Sequence, residues 1–204
     1  MKKHKIFTSL QDEENWINSI QAQGYRLTKV NPWLASYTFE PSQTETQALI
    51  RLDFRESFKK EAYLDYLTLF ADSGWQLIAG SRFSGTQYFR QTEKASSDQI
   101  FSDSESKNAF YTRYRNFAYS YFLVFLSIYF SQTTVMHQHH YQFFAPKTWF
   151  LTPGIWDRQG YHFWVSFLFE LPFAIGRSGI FSYFFLILAI FYFQIAYKSK
   201  TKKS

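Results

Sequence analysis

The chain has 204 residues, room for one domain plus membrane segments, and it is rich in aromatics: 25 Phe, 15 Tyr and 6 Trp. It has no cysteine, which excludes disulfides, thiolate zinc sites, iron–sulfur clusters and cysteine nucleophiles. The net charge of +6 invites a nucleic-acid reading, but its distribution argues against one: residues 1–93 carry 11 basic and 11 acidic side chains and the whole excess falls later.

At the start, Lys2, Lys3 and Lys5 are basic, but 8–15 is polar and holds Asp12, Glu13 and Glu14. No apolar signal core follows, so the first 91 residues are expected to form a domain that stays in the cytoplasm. Ser9 with Asp12 three residues on predicts a helix N-cap, and Trp16, Ile17 and Ile20 share one face of the helix after it. Gly24 suits a left-handed helix stop. Tyr25 and Leu27 then alternate with polar residues as in a half-buried strand, Asn31-Pro32 turns, and Tyr37-x-Phe39 ends a second strand.

Displaced by 50 residues, the pattern returns. Tyr63, Tyr66, Leu67 and Phe70 line a helix face. Gly74 follows, then Trp75 and Leu77, a turn at Gly80-Ser81, and Tyr88-Phe89. Between the copies, residues 47–55 alternate Ala48, Ile50, Leu52, Phe54 with Leu49, Arg51, Asp53, Arg55, which reads as an extra strand. The expected fold class is α+β: a duplicated helix–strand–strand unit plus one strand, forming one antiparallel sheet with two helices on one face. Trp16, Tyr25, Trp75 and Phe89 read as core. An open sheet face, or a groove beside it, is the place for a peptide or small ligand. Asp53 lies in the extra strand between Arg51 and Arg55 and reads as a member of a cross-strand ion pair rather than as a catalytic carboxylate.

Glu14-x-Trp16, Gly24-Tyr25-x-Leu27, Tyr37-x-Phe39, Arg51-x-Asp53-Phe54, Gly74-Trp75-x-Leu77 and Tyr88-Phe89-Arg90 together resemble the family of the domain of unknown function numbered 2812, over roughly residues 5–91. The resemblance implies a small membrane protein of mainly Gram-positive bacteria, often encoded beside a PadR-type regulator, and hence a stress-inducible role. It supplies no catalytic residues.

Residues 92–109 are polar and read as a flexible linker. Residues 110–136 are expected to be a first transmembrane helix. Arg113 and Arg115 with Phe110, Tyr111 and Tyr114 form its basic and aromatic flank, and no charged residue follows until Lys147. A second charge-free stretch, 178–197, runs into Lys198, Lys200, Lys202 and Lys203, so 178–198 is expected to span and 199–204 to be a basic cytoplasmic tail. Two spans place both basic flanks inside and residues 137–177 outside. Within that loop, 161–175 is apolar but short and interrupted by Glu170 and Pro172, which suits an interfacial helix better than a third span.

His137, His139, His140 and His162 are the only metal candidates, and neither Cys nor a nearby carboxylate supports them. Glu170 and His162 stand two helical turns apart, so a proton relay or a wet rim is open to them. No phosphate loop, dinucleotide fingerprint or nucleophile elbow occurs, and no cofactor is expected. The first functional expectation is a membrane-anchored interaction or sensory module whose cytoplasmic head binds a protein partner in or at the bilayer. The alternative is a membrane enzyme acting on lipid or peptide through the His-rich loop with Glu170 or Asp157. A transporter is disfavoured, since neither span core carries an ionisable group.

Overall fold

The computed structural model describes residues 1–42, 48–57, 59–83, 85–92, 97–101, 104–138 and 144–199. They form two compact units, Met1–Ala118 with Gln194–Ser204, and Tyr119–Phe193.

The first unit is α+β. Its elements are β1 (Lys2–His4), α1 (Leu10–Gln21), β2 (Tyr25–Asn31), β3 (Ser36–Pro41), β4 (Ile50–Arg55), α2 (Lys60–Asp72), β5 (Trp75–Ala79) and β6 (Gly85–Gln91). A long helix, α3 (Ser104–Gln138), begins in this unit. Where one sheet is expected, there are two, in the orders β1-β3-β2 and β4-β6-β5. The extra strand β4 belongs to the second copy, and β1 is its counterpart in the first. The repeat is therefore strand–helix–strand–strand.

The pairing registers obey the 50-residue shift throughout. Leu27 faces Phe39 as Leu77 faces Phe89; Lys2 faces Thr38 as Leu52 faces Tyr88. Even the irregularity recurs, between Leu27 and Lys29 and between Leu77 and Ala79. Each helix stops at a glycine with φ near +86° or +83°, at Gly24 and Gly74, a conformation that costs a residue bearing a Cβ about 1 kcal/mol or more. Both glycines accept from the residue 18 positions on, Ser42 and Thr92. Ser9 caps α1 as expected, its hydroxyl accepting from the Asp12 amide at 3.3 Å.

The two sheets are joined by α1 rather than by strand pairing. Phe39, Ile17, Ile20 and Leu27 pack with Ile50, Leu52, Phe54 and Tyr88 in one cluster. Phe89, Trp75, Tyr66 and Phe70 form a second cluster beneath α2. The second sheet is thus covered on both faces, which is why consecutive residues in β4 (Leu52, Asp53, Phe54) and β6 (Gln87, Tyr88, Phe89) are all buried. The side chains of Glu14, Asn18 and Gln21, one face of α1, hydrogen-bond the free edge of β4. Glu14 accepts from Leu52 N, Asn18 both donates to Ile50 O and accepts from Ile50 N, and Gln21 donates to Ala48 O. An unpaired sheet edge is closed by a helix surface.

The segment expected to be a tether is structured where it is described. The helix α3 starts at Ser104, and its first turns pack on the head: Phe110 is buried in the larger cluster, and Tyr114 and Phe117 lie against the Phe54 ring.

The second unit is helical. Its elements are the rest of α3, short 3-10 turns at Pro146–Trp149 and Ile155–Asp157, α4 (Gly160–Arg177) and most of α5 (Ile180–Lys198). In this unit α3 and α5 run antiparallel. Tyr121 stacks on Tyr192, Phe125 on Phe185, and Met136 meets Ser182. Ser182 and Ala189, seven residues apart on α5, are buried and allow close approach. The α4–α5 turn rests on Gly179, with φ of 77°.

This unit reverses the usual rule for buried and exposed groups. Its surface is apolar, with Leu123, Val124, Phe130, Trp164, Leu168, Phe169, Phe173, Phe181, Phe184 and Ile187 exposed. Its one buried carboxylate is paired with a half-buried arginine. The carboxylate of Glu170, only 5% exposed, takes the Arg177 guanidinium at 2.7 Å and the Thr152 amide at 3.0 Å, and also the Leu151 amide. Arg177 also donates to Trp149 O. Among the described residues, one stretch, Gly160–Lys198, is long and apolar enough to cross a membrane, with mean hydropathy 2.0. α3 does not meet that criterion, although 116–138 is free of Lys, Arg, Asp and Glu; its Tyr, Ser, Gln and Asn residues dilute the hydropathy.

Candidate functional site

A cleft in the head has a volume of about 240 Å³ and lies where α1 and β4 meet residues 99–101 and the start of α3. Leu10, Leu52, Ile100, Phe101 and Phe110 give it an apolar wall; Gln11, Glu14, Arg51, Gln99, Lys107 and Tyr111 give it a polar one. Each side chain is placed by the fold already described. Glu14 reaches across the α1–β4 junction, and Arg51 projects from β4 to meet it at 2.6 Å. Arg51 Nε donates to Asp98 O at 2.8 Å, tying the 97–101 segment to the strand. Tyr111, on α3, donates to Gln11 at 3.4 Å.

The electrostatics follow from burial. Loss of water raises the Glu14 pKa above the ordinary carboxylate value, and the attraction of Arg51 only partly offsets it. Behind Glu14, Glu13 is buried with no ion-pair partner among the described residues. The hydroxyls of Tyr37 and Tyr88 donate to it at 2.7 and 2.5 Å. Burial raises the Glu13 pKa more than the two hydroxyls lower it. The lining places an apolar wall beside Lys107 and the Glu14-paired Arg51, so the cleft can take an apolar group beside an anionic one.

A second polar cluster lies on the other side of β4. Asp53 is fully buried and holds Tyr66 at 2.8 Å, Arg55 at 3.0 Å and Arg113 at 3.3 Å. The ion pair is not cross-strand: its cations come from Arg55 on the same strand and Arg113 on α3, while Arg51 pairs with Glu14. Arg113, expected to flank a membrane, instead ties α3 to the head, donating to Phe54 O as well. Burial lowers its pKa from the ordinary guanidinium value. Arg115, also expected at the flank, is half-buried.

The sequence-derived structural motif divides cleanly. Leu27, Phe39, Asp53, Trp75 and Phe89 are buried, while Trp16, Tyr25 and Leu77 are half-buried and pack on the clusters. Gly24 and Gly74 stop the helices. The histidines are not brought together: His137 and His162 are exposed on α3 and α4, and His139 and His140 lie outside the described residues. Among the described residues, no group of three His, Cys, Asp or Glu is placed to hold a metal ion. Glu170 faces the 149–152 backbone and Arg177 rather than a relay with His162. Lys198 donates to the Thr8 hydroxyl at 2.8 Å; Lys200, Lys202 and Lys203 lie outside the described residues.

Sequence reasoning gave no site role to Glu13, Glu14, Asn18, Gln21 or Arg51. The available signal was the i, i+4, i+7 spacing of Glu14, Asn18 and Gln21, which on its own looks like a solvated helix face.

The family model described as "Protein of unknown function (DUF2812)" matches residues 9–123. The chain belongs to that family. The matched region runs beyond the two repeats into α3, taking in the Asp53–Arg113 pair and every residue lining the cleft. No curated protein and no solved structure matches the chain.

Proposed function

We propose that the chain is a membrane-anchored interaction module, accessory to a regulatory or stress-response system, whose cytoplasmic head takes a protein partner in its cleft. The observation that carries the anchoring is the inverted second unit. A folded unit that exposes Phe, Leu, Ile and Trp, and keeps its buried Glu170 neutralised by Arg177, suits hydrocarbon as its solvent. In this reading α3 from about residue 116 and α5 both span. α4 lies in the outer interface with Trp164, Leu168, Phe169 and Phe173 toward lipid. Both termini are inside, where Arg115 and the Lys198–Lys203 run favour the cytoplasmic leaflet. On α3 the hydroxyls of Ser127, Thr133 and Thr134 donate to carbonyls of their own helix, Leu123 O and Phe130 O, which lowers the cost of placing them in lipid.

For the head, the support is that Glu13, Glu14 and Asp53 are already engaged in holding strands, tyrosines and α3 together. What they leave is a recognition surface. Its apolar wall beside Arg51 and Lys107 fits a peptide segment carrying an acidic and an apolar side chain. Anchoring raises the effective concentration of the head toward partners in the same membrane.

The test is site-directed photo-cross-linking in living cells with a photoreactive residue at Gln99. A discrete adduct that disappears on Arg51→Glu and survives Asp65→Lys, on the exposed face of α2, is the expected result. Membrane-fractionated protein that gives no adduct, or one indifferent to Arg51→Glu, would remove the cleft from the proposal.

A further inference from the structure

The N-terminal segment of the head has no part in the cleft and carries the densest basic cluster in the head. Lys2, His4 and Lys5 are exposed, Lys3 is half-buried, and between Lys5 and Phe7 stands Ile6, 72% exposed. The Lys5 ammonium sits 5.0 Å from the centre of the Phe7 ring and 5.2 Å from that of Trp16. Cations interleaved with an exposed apolar side chain and aromatic rings are the composition of interfacial anchors. Its place in the fold gives this segment a use. Lys198, which closes α5, donates to Thr8, so the basic segment is held at the end of an apolar helix.

We propose that residues 2–6 are a second membrane contact, in which Lys2, Lys3 and Lys5 bind anionic phospholipid headgroups while Ile6 enters the headgroup layer. This rests on the membrane reading above and adds to it. The head lies on the anionic leaflet rather than swinging free, and the lipid composition sets how firmly it is held. The occupant is a phospholipid surface, because the lysines lie along an extended strand and its continuation, not around a pocket; charges spread over such an edge suit many headgroups rather than one bound anion.

The absence of cysteine makes the test direct, since Ile6→Cys supplies the only thiol in the chain. The full-length protein, labelled there with an environment-sensitive fluorophore, is placed in nanodiscs of phosphatidylcholine alone or phosphatidylcholine with phosphatidylglycerol. Each disc carries a nitroxide-bearing lipid as quencher. The expected result is blue-shifted, quenched emission in the anionic discs, with quenching roughly fivefold or more above that in neutral discs. Lys2→Gln, Lys3→Gln and Lys5→Gln combined should abolish the difference. Equal quenching in both discs, or quenching that persists in the triple variant, would overturn the lipid contact. A second protein labelled at Phe184→Cys reports on the anchor itself and should be quenched in both discs. If it is quenched and the Ile6 label is not, only the headgroup contact fails. If neither is quenched, the membrane reading fails with it.

Discussion

The two repeats of the head follow one backbone plan and fill it with different chemistry. Their strand registers, their irregularity after Leu27 and Leu77, and their glycine helix stops coincide when one is shifted by 50 residues onto the other. The buried polar positions do not. Where the first repeat has Glu13 accepting from Tyr37, the second has Tyr63 donating to Gln87. The donor has moved to the other element, yet the helix-to-strand hydrogen bond survives. Where the first helix carries Glu14, Asn18 and Gln21, the second carries Leu64, Thr68 and Ala71. The first triplet closes the edge of β4; the second lies on an exposed face. A duplicated backbone tolerates exchange of its polar groups as long as each buried donor keeps an acceptor. The asymmetry between copies marks where one copy grips the other.

The largest effect should show the sameness. Phe39→Ala and Phe89→Ala remove equivalent, fully buried rings, and each should cost about 3–5 kcal/mol of head stability. Chemical unfolding of the two variants should give losses within about 1 kcal/mol of each other; a cost confined to one copy would show that the repeats are equivalent in register only. The next effect should show the difference. Asn18→Ala strands both backbone groups of Ile50 and should cost about 2 kcal/mol, whereas Thr68→Ala at the matching position should stay within about 0.5 kcal/mol. Equal costs would refute the role given to α1 as the clasp between the sheets.

The smallest effect concerns pH. The folded-state pKa of Glu13 is raised above 4.5, chiefly by burial, so the native head holds that proton more tightly than the unfolded chain does. Stability from this group is complete below about pH 4.5 and is lost as pH rises toward the folded value. Glu13→Gln keeps an acceptor for Tyr37 and Tyr88 but cannot titrate. Its stability relative to the natural chain should therefore improve as pH is raised from 4.5 to 7. A difference that is flat with pH, read from denaturant midpoints, would show that Glu13 is not held protonated by its surroundings.

Much of the head is legible in the chain because local signals repeat. A glycine after an amphipathic helix, alternating aromatics, and a fixed 50-residue spacing need no knowledge of partners, and they placed α1, α2 and five of the six strands. β1 escaped because three polar residues, Lys2, Lys3 and His4, carry no apolar alternation; only β3 makes them a strand. The split into two sheets was equally invisible, since it depends on whether β4 pairs with β3 or β6, and both offer an aromatic face. The cleft arises where α1, β4 and α3 converge from three distant parts of the chain, so no window of sequence contains it.

The sequence by itself determined that the chain has a charge-balanced head and two charge-free stretches beyond it, because solvent preference is a sum over side chains. Which charged groups face each other was decided by tertiary structure alone. Arg113 looks like a membrane flank and is the partner of Asp53; Glu170 looks like an obstacle in an apolar helix and is the acceptor for Arg177 and two amides. A charge buried in a low-dielectric interior is tolerated only beside its counter-charge, and that neighbour is chosen by packing across the fold, not by position along the chain.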